Sequence, residues 1–341
     1  MIVQKFSGRA AALVALCALI SAPARLQAAG PNDAAVKEGT VVWYATMNTK
    51  DMDLTADEFM RTHPGIHVET LRLGSSQLPA RVATEQRAGQ YNADVISGDG
   101  FQVFQLIAGG AFGKHTYRDA DKFIAGTVDS GGEWANLYLN TTVLAWNPDR
   151  LKADHLKPPQ SVADFANPEW KGKFGFDTGA LNWYVGLLQN RKDGAALAQK
   201  IADNSPVKTL GHTQTVSSLE TGEFDATPTA YGYLSEQEKE AGKSIDYANP
   251  TPLFASLNPI GVAKNAPHPN AASVFIDWML SRDGQQYLAQ RGGGEISSCT
   301  DVKSNPKIWN LKRPYVIIAA PKSSEYNDRE KEFRTMFGLL G

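Results

Sequence analysis

The stretch Thr40-Val41-Val42-Trp43-Tyr44-Ala45-Thr46 decides the fold, because a short run of β-branched and aromatic residues is typical of a buried strand. A polar turn follows at residues 48–51, and a helical pattern then runs to the break at His63-Pro64-Gly65. Residues 66–71 alternate as a second strand, and residues 94–97 form a third before another helical pattern. This alternation predicts parallel βαβ units with helices on both faces of the sheet.

The second half of the chain shows the same alternation. Strand patterns lie at residues 143–146, 173–177 and 259–263, and a helical pattern covers residues 181–188. At roughly 100–200 residues per domain, a chain of 341 residues suggests two domains. The predicted fold class is therefore α/β, with mixed, mostly parallel sheets flanked by helices.

Composition excludes several classes of protein. The chain is 42% hydrophobic and 21% charged, which is normal for a globular protein. Its net charge of −2, with no basic stripe, argues against a nucleic-acid partner. Two cysteines are too few for a disulfide scaffold, and no His, Cys, Asp or Glu cluster in the sequence has zinc-ligand spacing.

The N-terminus has the pattern of a secretory signal peptide. Lys5 and Arg9 precede the apolar run at residues 10–20, which is about half the length of a membrane-spanning helix. Ala28-Ala29 then offers a cleavage point. Residues 1–28 are therefore predicted to be removed on export, which predicts a periplasmic protein.

Small polar loops follow four of the predicted strands, at the sheet edge where open α/β sheets bind ligands. Such loops let backbone N–H groups and hydroxyls approach a ligand, and the helices that begin there favour anions. The alternative is that these residues only cap helices, but four such loops together favour a binding cleft. The predicted ligand-binding residues in these loops are Thr46, Met47, Ser75, Ser76, Ser97, Asp99, Asp177 and Thr178.

Aromatic side chains add further candidates for the cleft. Trp183 stands near a strand end, where it would either stack on an organic ligand or pack in the core. Tyr231 and Tyr233 are separated by Gly232. If this segment is extended, both rings lie on one face, whereas in the first turn of a helix they diverge. Both tyrosines are predicted to line the cleft, and the sequence leaves their relative orientation open.

The sequence offers no motif for catalysis. No G-x-S-x-G nucleophile motif occurs at these loops, and no G-x-x-x-x-G-K-[ST] phosphate loop occurs in the chain. No spacing singles out a pair of catalytic carboxylates. We therefore expect a binding protein without catalytic residues, with a secreted hydrolase as the alternative class.

Several stretches resemble those of extracellular solute-binding proteins of bacterial ABC importers. They occur in the family's order and are residues 41–44 (VVWY), 59–68 (FMRTHPGIHV), 93–96 (ADVI), 167–173 (NPEWKGK), 266–272 (APHPNAA) and 278–285 (WMLSRDGQ). The NPEWKGK and APHPNAA stretches are similar to the branch that carries ferric iron, thiamine, phosphonates and related small solutes. The resemblance implies two α/β lobes, joined by two crossing strands, that close on a solute by a hinge motion.

The resemblance also implies a division of the chain and a set of partners. Residues 29–139 and 256–341 would form lobe 1, with the place of the C-terminal tail left open, and residues 140–255 would form lobe 2. The implied function is capture of a small solute in the interlobe cleft and delivery to the permease subunits of an ABC transporter, which act with an ATPase. A monomer without a resident cofactor is expected.

Ferric iron is the first candidate for the solute. Family members that bind it use a pair of adjacent tyrosines in the second lobe, and the matching positions here are Tyr231 and Tyr233, which would be the metal ligands. The glycine between them departs from the family's adjacent pair. The alternatives are a small organic anion, such as a carboxylate or phosphonate, and a thiamine-like solute.

Overall fold

The computed structural model describes residues 31–75, 77–98, 100–290, 295–320 and 323–339. The predicted signal peptide and the predicted site residues Ser76 and Asp99 lie outside the described residues. Helices and strands alternate through most of the described ranges, which confirms the predicted α/β class.

Ten strands lie in the described ranges. They are β1 Thr40–Ala45, β2 His67–Arg72, β3 Val95–Ser97, β4 Ala135–Trp146, β5 Gly175–Asp177, β6 Val207–Thr209, β7 Ala226–Tyr231, β8 Asp246–Ala248, β9 Leu253–Val262 and β10 Tyr315–Ile317. Eight of them form one sheet with the order β2-β1-β3-β9-β4-β7, in which β10 also pairs with β9 and β8 with β4. β5 and β6 form a separate, parallel pair.

Twelve α-helices pack on these sheets in the same ranges. They are α1 Pro31–Glu38, α2 Thr49–Thr62, α3 Gln77–Arg87, α4 Gly100–Ala108, α5 Pro148–Ala153, α6 Leu181–Asn190, α7 Gly194–Asp203, α8 His212–Glu220, α9 Gly232–Glu240, α10 Pro269–Met279, α11 Arg282–Gln290 and α12 Ser323–Met336. Short 3-10 helices cover Ala120–Lys122, Val162–Ala166 and Pro168–Trp170. None of the described helices is long and apolar enough to span a lipid bilayer.

The first half of the chain folds into the predicted parallel βαβ units. β1 lies between β2 and β3, and Trp43 pairs with Thr70 on one side and with Val95 on the other. α2 begins after Asn48, whose side-chain oxygen accepts a hydrogen bond from the Asp51 amide at 3.0 Å. The loops after these parallel strands therefore meet at one edge of the sheet.

The long strands β4 and β9 join the two halves of the molecule. They pair antiparallel from Ala135 opposite Ile260 to Thr142 opposite Phe254, and every residue of both strands is buried. β9 also pairs with β3, while β4 pairs with β7 and β8. Both strands are longer than their sequence patterns predicted, because polar residues in the middle of each interrupt the apolar run.

Two aromatic cores share these crossing strands, since Ile260 of β9 packs in the first core and Phe254 in the second. In the first core, Trp43 and Phe59 pack edge-on against Phe275, with ring centroids 5.4 and 4.9 Å apart. The second core includes Phe176, Trp183, Tyr184, Phe333 and Phe337.

The C-terminal tail, residues 323–339, whose place the sequence left open, packs in the second core. Phe337 stacks on Phe176 with ring centroids 4.1 Å apart, and Phe333 lies 5.9 Å from Tyr184. The lobe boundaries near residues 139 and 255 stay a prediction.

Gly175 in β5 has no room for a side chain, because a Cβ atom there would overlap the buried ring of Phe224. Gly175→Ala is therefore expected to lower the free energy of unfolding by about 1–3 kcal/mol, the usual cost of overpacking. Urea denaturation followed by tryptophan fluorescence measures the change.

The matched control for this substitution is Gly113→Ala. Its Cβ atom would meet its nearest neighbour, the Ala263 carbonyl oxygen, at an ordinary 3.6 Å. The control is expected to change stability by less than about 0.5 kcal/mol. A Gly175→Ala variant as stable as the control would contradict the packing around β5.

Candidate functional site

A cavity of about 570 Å³ lies where loops from both halves of the chain meet. The first half contributes the loops after β1 and β2, and the second half contributes the loops after β5 and β6 and the end of β7. Tyr138, Asn140 and Asn258 of the crossing strands also line it, and we call these three residues the floor of the cavity. The cavity thus lies at the edges of the sheets, between the two cores.

Most of the residues that the sequence predicts as ligand-binding are brought together at this cavity. Their contact with a solute stays a prediction. Those that line the cavity are Thr46, Met47, Ser75, Asp177, Thr178, Tyr231 and Tyr233.

Two predicted residues lie elsewhere, and their assignment to the cleft is corrected. Ser97 is buried in β3, where its hydroxyl accepts a hydrogen bond from Trp43 Nε1 at 2.9 Å. Trp183 is in the first turn of α6 but faces the second core, edge-on to Phe176 with ring centroids 5.1 Å apart. Its neighbour Asn182 lines the cavity instead, so the rotation of the helix decides which side chain faces the solute.

Asp177 braces two of the cavity loops. Its side chain is 1% exposed and lies 3.1 Å, through one carboxylate oxygen, from His212 Nδ1. The other carboxylate oxygen accepts hydrogen bonds from the backbone amides of Gly179 and Gly211, both at 2.8 Å. Through these contacts the Asp177 carboxylate holds the loops in position.

Tyr231 and Tyr233 lie at a junction between strand and helix, which resolves the orientation that the sequence left open. Tyr231 ends β7, and α9 begins at Gly232. The two tyrosine rings are 6.3 Å apart between centroids, and Tyr231 stacks on His212 at 3.6 Å. Gly232 is required here because a Cβ atom would lie 2.5 Å from Thr141 Oγ1 on β4. The glycine thus lets α9 begin against the crossing strand while both tyrosines line the cavity.

Six of the described helices begin at the cavity, namely α2, α3, α4, α6, α8 and α9. For each of them, the capping residue or residues of the first turn line the cavity. Helix N-termini present backbone N–H groups and the positive end of the helix dipole. Their convergence makes the cavity favourable for an anion.

Two arginines that the sequence analysis missed also line the cavity. Arg72 ends β2 and is exposed, and Arg334 is carried by α12. Among the described residues, neither guanidinium group has a carboxylate within ion-pair distance. The position of Arg72 at the carboxyl end of a predicted strand was a usable signal, but nothing in the sequence brings Arg334 to the same place.

The floor of the cavity carries polar atoms without partners among the described residues. Asn258 is 1% exposed, and neither its amide oxygen nor its amide nitrogen is hydrogen-bonded there. The amide oxygen of Asn140 likewise has no hydrogen-bond partner among the described residues. Leaving such a group unpaired costs about 1–3 kcal/mol, so these amides favour a solute that both donates and accepts hydrogen bonds.

The described residues include no group of three or more His, Cys, Asp or Glu side chains arranged to hold a metal ion. The phenol oxygens of Tyr231 and Tyr233 are further potential metal-ligating groups that line the cavity. His212 is the neighbouring imidazole, and its Nδ1 lies 2.9 Å from the Thr229 carbonyl oxygen.

Comparison with known proteins places this arrangement in a family. Residues 55–313 match the family described as bacterial extracellular solute-binding protein. The Fe(3+)-binding periplasmic protein of Serratia marcescens is 26% identical over 225 residues, which cover 62% of this chain and 65% of that relative. The match thus spans slightly less than two thirds of the relative's length.

Solved structures share the fold over nearly their whole length. The periplasmic binding protein AfuA from Actinobacillus pleuropneumoniae, with exogenous fructose-6-phosphate bound, has a TM-score of 0.74 at 19% identity and covers 88% of this chain and 97% of its own. Iron-bound HitA from Pseudomonas aeruginosa has a TM-score of 0.70 at 20% identity and covers 86% of this chain and 99% of its own.

The described residues therefore have the fold of periplasmic binding proteins. The chain belongs to the family of bacterial extracellular solute-binding proteins.

A buried carboxyl group lies directly behind one wall of the cavity. Asp51 is in the first turn of α2, and its carboxylate accepts a hydrogen bond from the side-chain amide of Asn48, which lines the cavity. Burial raises the pKa of Asp51 to about 6. Burial and then the charge of Asp51 raise the pKa of Glu295 well above its usual range.

The raised pKa of Asp51 predicts a pH-dependent stability. The folded protein holds this proton up to about pH 6, whereas the unfolded chain loses it near pH 4, so stability falls as pH rises between these values. Asp51→Asn removes the ionisation, and between pH 4 and pH 7 it should gain up to about 3 kcal/mol relative to the wild type.

Urea unfolding of both proteins at several pH values measures this difference. Asp53→Asn, on the exposed face of the same helix, is the matched control and should follow the wild type at every pH. A difference between Asp51→Asn and the wild type that stays constant from pH 4 to pH 7 would show that Asp51 is ionised throughout.

Proposed function

We propose that this chain is a periplasmic solute-binding protein of an ABC importer, and that its cargo is a small, hydroxylated organic anion. It takes up the solute between two lobes and passes it unchanged to the permease subunits, which act with their ATPase. The predicted signal peptide would export it to the periplasm. Family membership and the fold shared with AfuA and HitA support this role.

The proposed lobes follow the two cores. Residues 29–139 and the segment from residue 256 up to the C-terminal tail belong to lobe 1, and residues 140–255 together with the C-terminal tail belong to lobe 2. The crossing strands β4 and β9 are then the hinge, since they are the pair shared by both cores. A monomer is sufficient for this mechanism, because one chain supplies both walls of the cavity.

The positively charged groups of the cavity wall are the observation that supports an anionic cargo. A hydrogen bond to a charged group contributes about 1.5–3 kcal/mol, and each helix N-terminus adds about 0.3–1 kcal/mol for an anion. Arg72 and Arg334 equal the two lining carboxylates, Asp177 and Glu330, in number, and the six helix N-termini add further positive potential.

The floor supports hydroxyl groups on the solute. Asn140 and Asn258 present neutral amide groups, which suit hydroxyls that donate and accept hydrogen bonds. The structural relative AfuA was solved with fructose-6-phosphate, a ligand that combines hydroxyl groups with a phosphate. A solute of that general chemistry would satisfy both the floor and the arginines.

Ferric iron is the second candidate, and the paired tyrosines favour it. Fe(III) is a hard cation that phenolate oxygen suits, and the rings of Tyr231 and Tyr233 lie side by side at the cavity. The Serratia relative is named as an Fe(3+)-binding protein, and HitA was solved with iron. In this alternative, Tyr231 and Tyr233 are the metal ligands and the arginines hold an accompanying anion.

We expect no turnover of the bound solute. The imidazole of His212 lies against the Thr229 carbonyl and the Asp177 carboxylate through the same ring nitrogen, Nδ1. Asp177 in turn holds two loops in place. These contacts give the cavity a rigid wall, which suits binding and release.

Arg72→Gln tests whether the cargo is an anion. The substitution removes one of the two cationic side chains of the cavity wall and should weaken binding of fructose 6-phosphate at least tenfold, or about 1.4 kcal/mol. Isothermal titration calorimetry measures the affinity, with fructose as the uncharged analogue. Arg87→Gln, at the exposed end of α3, is the control and should leave the affinity unchanged.

Identification of the natural solute can contradict the proposed cargo. Mass spectrometry of the protein purified without added ligand identifies any small molecule released on denaturation. An uncharged solute, or equal binding of anions by wild type and Arg72→Gln, would contradict the proposed cargo.

Tyr231→Phe tests the iron alternative. If Tyr231 is a ligand, protein loaded with ferric citrate has a visible tyrosinate–iron charge-transfer band, and the substitution abolishes it. Tyr91→Phe, in the loop before β3, is the control and should leave the band unchanged. Absorption spectra without such a band after loading would eliminate iron held by tyrosine.

A further inference from the structure

The C-terminal helix α12 lies outside the part of the chain that matches the family, which ends at residue 313. It nevertheless forms part of the cavity wall. Glu330, Phe333 and Arg334 of this helix, and Leu339 after it, line the cavity. The family match therefore does not account for this wall of the site.

Aromatic packing fixes α12 beside a cavity loop. Phe337 stacks on Phe176 with centroids 4.1 Å apart and lies 6.4 Å from Trp183, while Phe333 lies 5.9 Å from Tyr184. Phe176 directly precedes the cavity loop at residues 177–180, and Trp183 and Tyr184 lie in the first turn of α6, which follows it. The rings of the tail thus hold both ends of this loop.

The helix also meets the first half of the chain. Phe101, in the first turn of α4, belongs to the same buried cluster as Phe333 and lines the same cavity. α12 therefore lies where the two proposed lobes approach each other. A side chain on its cavity face is close to any solute held between them.

Arg334 is the charged donor on that face. Its Nη2 donates a hydrogen bond to the Leu339 carbonyl at 2.9 Å, which ties the guanidinium group to the end of the tail. A guanidinium group has five N–H donors, and no described carboxylate lies within ion-pair distance of this one. Its positive charge and remaining donors are available to an anion in the cavity.

We propose that α12 is a wall of the solute site and that Arg334 binds the anionic group of the solute. The inference rests on the proposed anion-binding function and adds a specificity element outside the region that matches the family. Arg72 and Arg334 line the same cavity from opposite halves of the chain, and a phosphate ester has enough charged oxygens to accept hydrogen bonds from two guanidinium groups.

Arg334→Gln is the test, with fructose 6-phosphate, 3-phosphoglycerate and inorganic phosphate as probes in calorimetry. Binding should weaken at least tenfold for each probe that the wild type binds. The dependence of affinity on salt should also become shallower, because one cationic contact is lost. Arg334→Lys keeps the charge without the planar fork and should give an intermediate affinity.

Lys331→Gln is the matched control, since Lys331 is an exposed cation on the same helix and does not line the cavity. It should bind each probe within twofold of the wild type. Thermal unfolding of all the variants separates a binding role from a structural one, because a residue that only ties down the tail would change the melting temperature and leave the salt dependence unaltered.

The outcomes distinguish this inference from the proposed function. If Arg72→Gln weakens binding and Arg334→Gln binds as the wild type does, the anion site stands and the role of α12 is overturned. If the wild type binds none of the phosphorylated probes and no other anion co-purifies, the proposed function fails and this inference fails with it.

Discussion

The antiparallel pairing of β4 with β9 is the constraint on which the rest of the structure depends. Both strands are buried along their whole length, and β9 contributes Ile260 to one core and Phe254 to the other. Each core packs its own aromatic rings, and this pair contributes residues to both. Between the cores the strands carry polar residues, so the floor of the cavity presents the amides of Asn140 and Asn258. The position of the cavity follows from the way the cores are joined.

The loops around that floor serve structure and binding at the same time. Asp177 shows this directly, because its carboxylate accepts hydrogen bonds from Gly179 and Gly211 and thereby fixes the N-terminal ends of α6 and α8. Gly232 has a comparable effect, since it lets α9 begin against β4. Helix N-termini that are held in this way keep their backbone N–H groups in place, which would favour the proposed anion.

Much of the fold was predictable because it depends on local patterns. The strand at residues 40–46, the helix after it and the parallel units of the first half follow from β-branched runs, periodic apolar residues and turn residues, and the structure confirms them. The long strands were only partly predicted, since their polar middle residues interrupt the apolar pattern. Trp183 was assigned to the cleft from its position after a strand, but the rotation of α6 turns it into the second core.

The sequence by itself determined the α/β class, the family resemblance and the loops that surround the cleft, because each of these depends on residues close together in the chain. Only the tertiary structure decided which charged side chains line the cleft. Arg72 and Arg334 are far apart in sequence, and they line one cavity because Phe333 and Phe337 anchor the C-terminal helix in the second core. The physical reason is that apolar burial is not directional: the pattern of the tail shows that it must be covered, and packing against Phe176 and Tyr184 determines where.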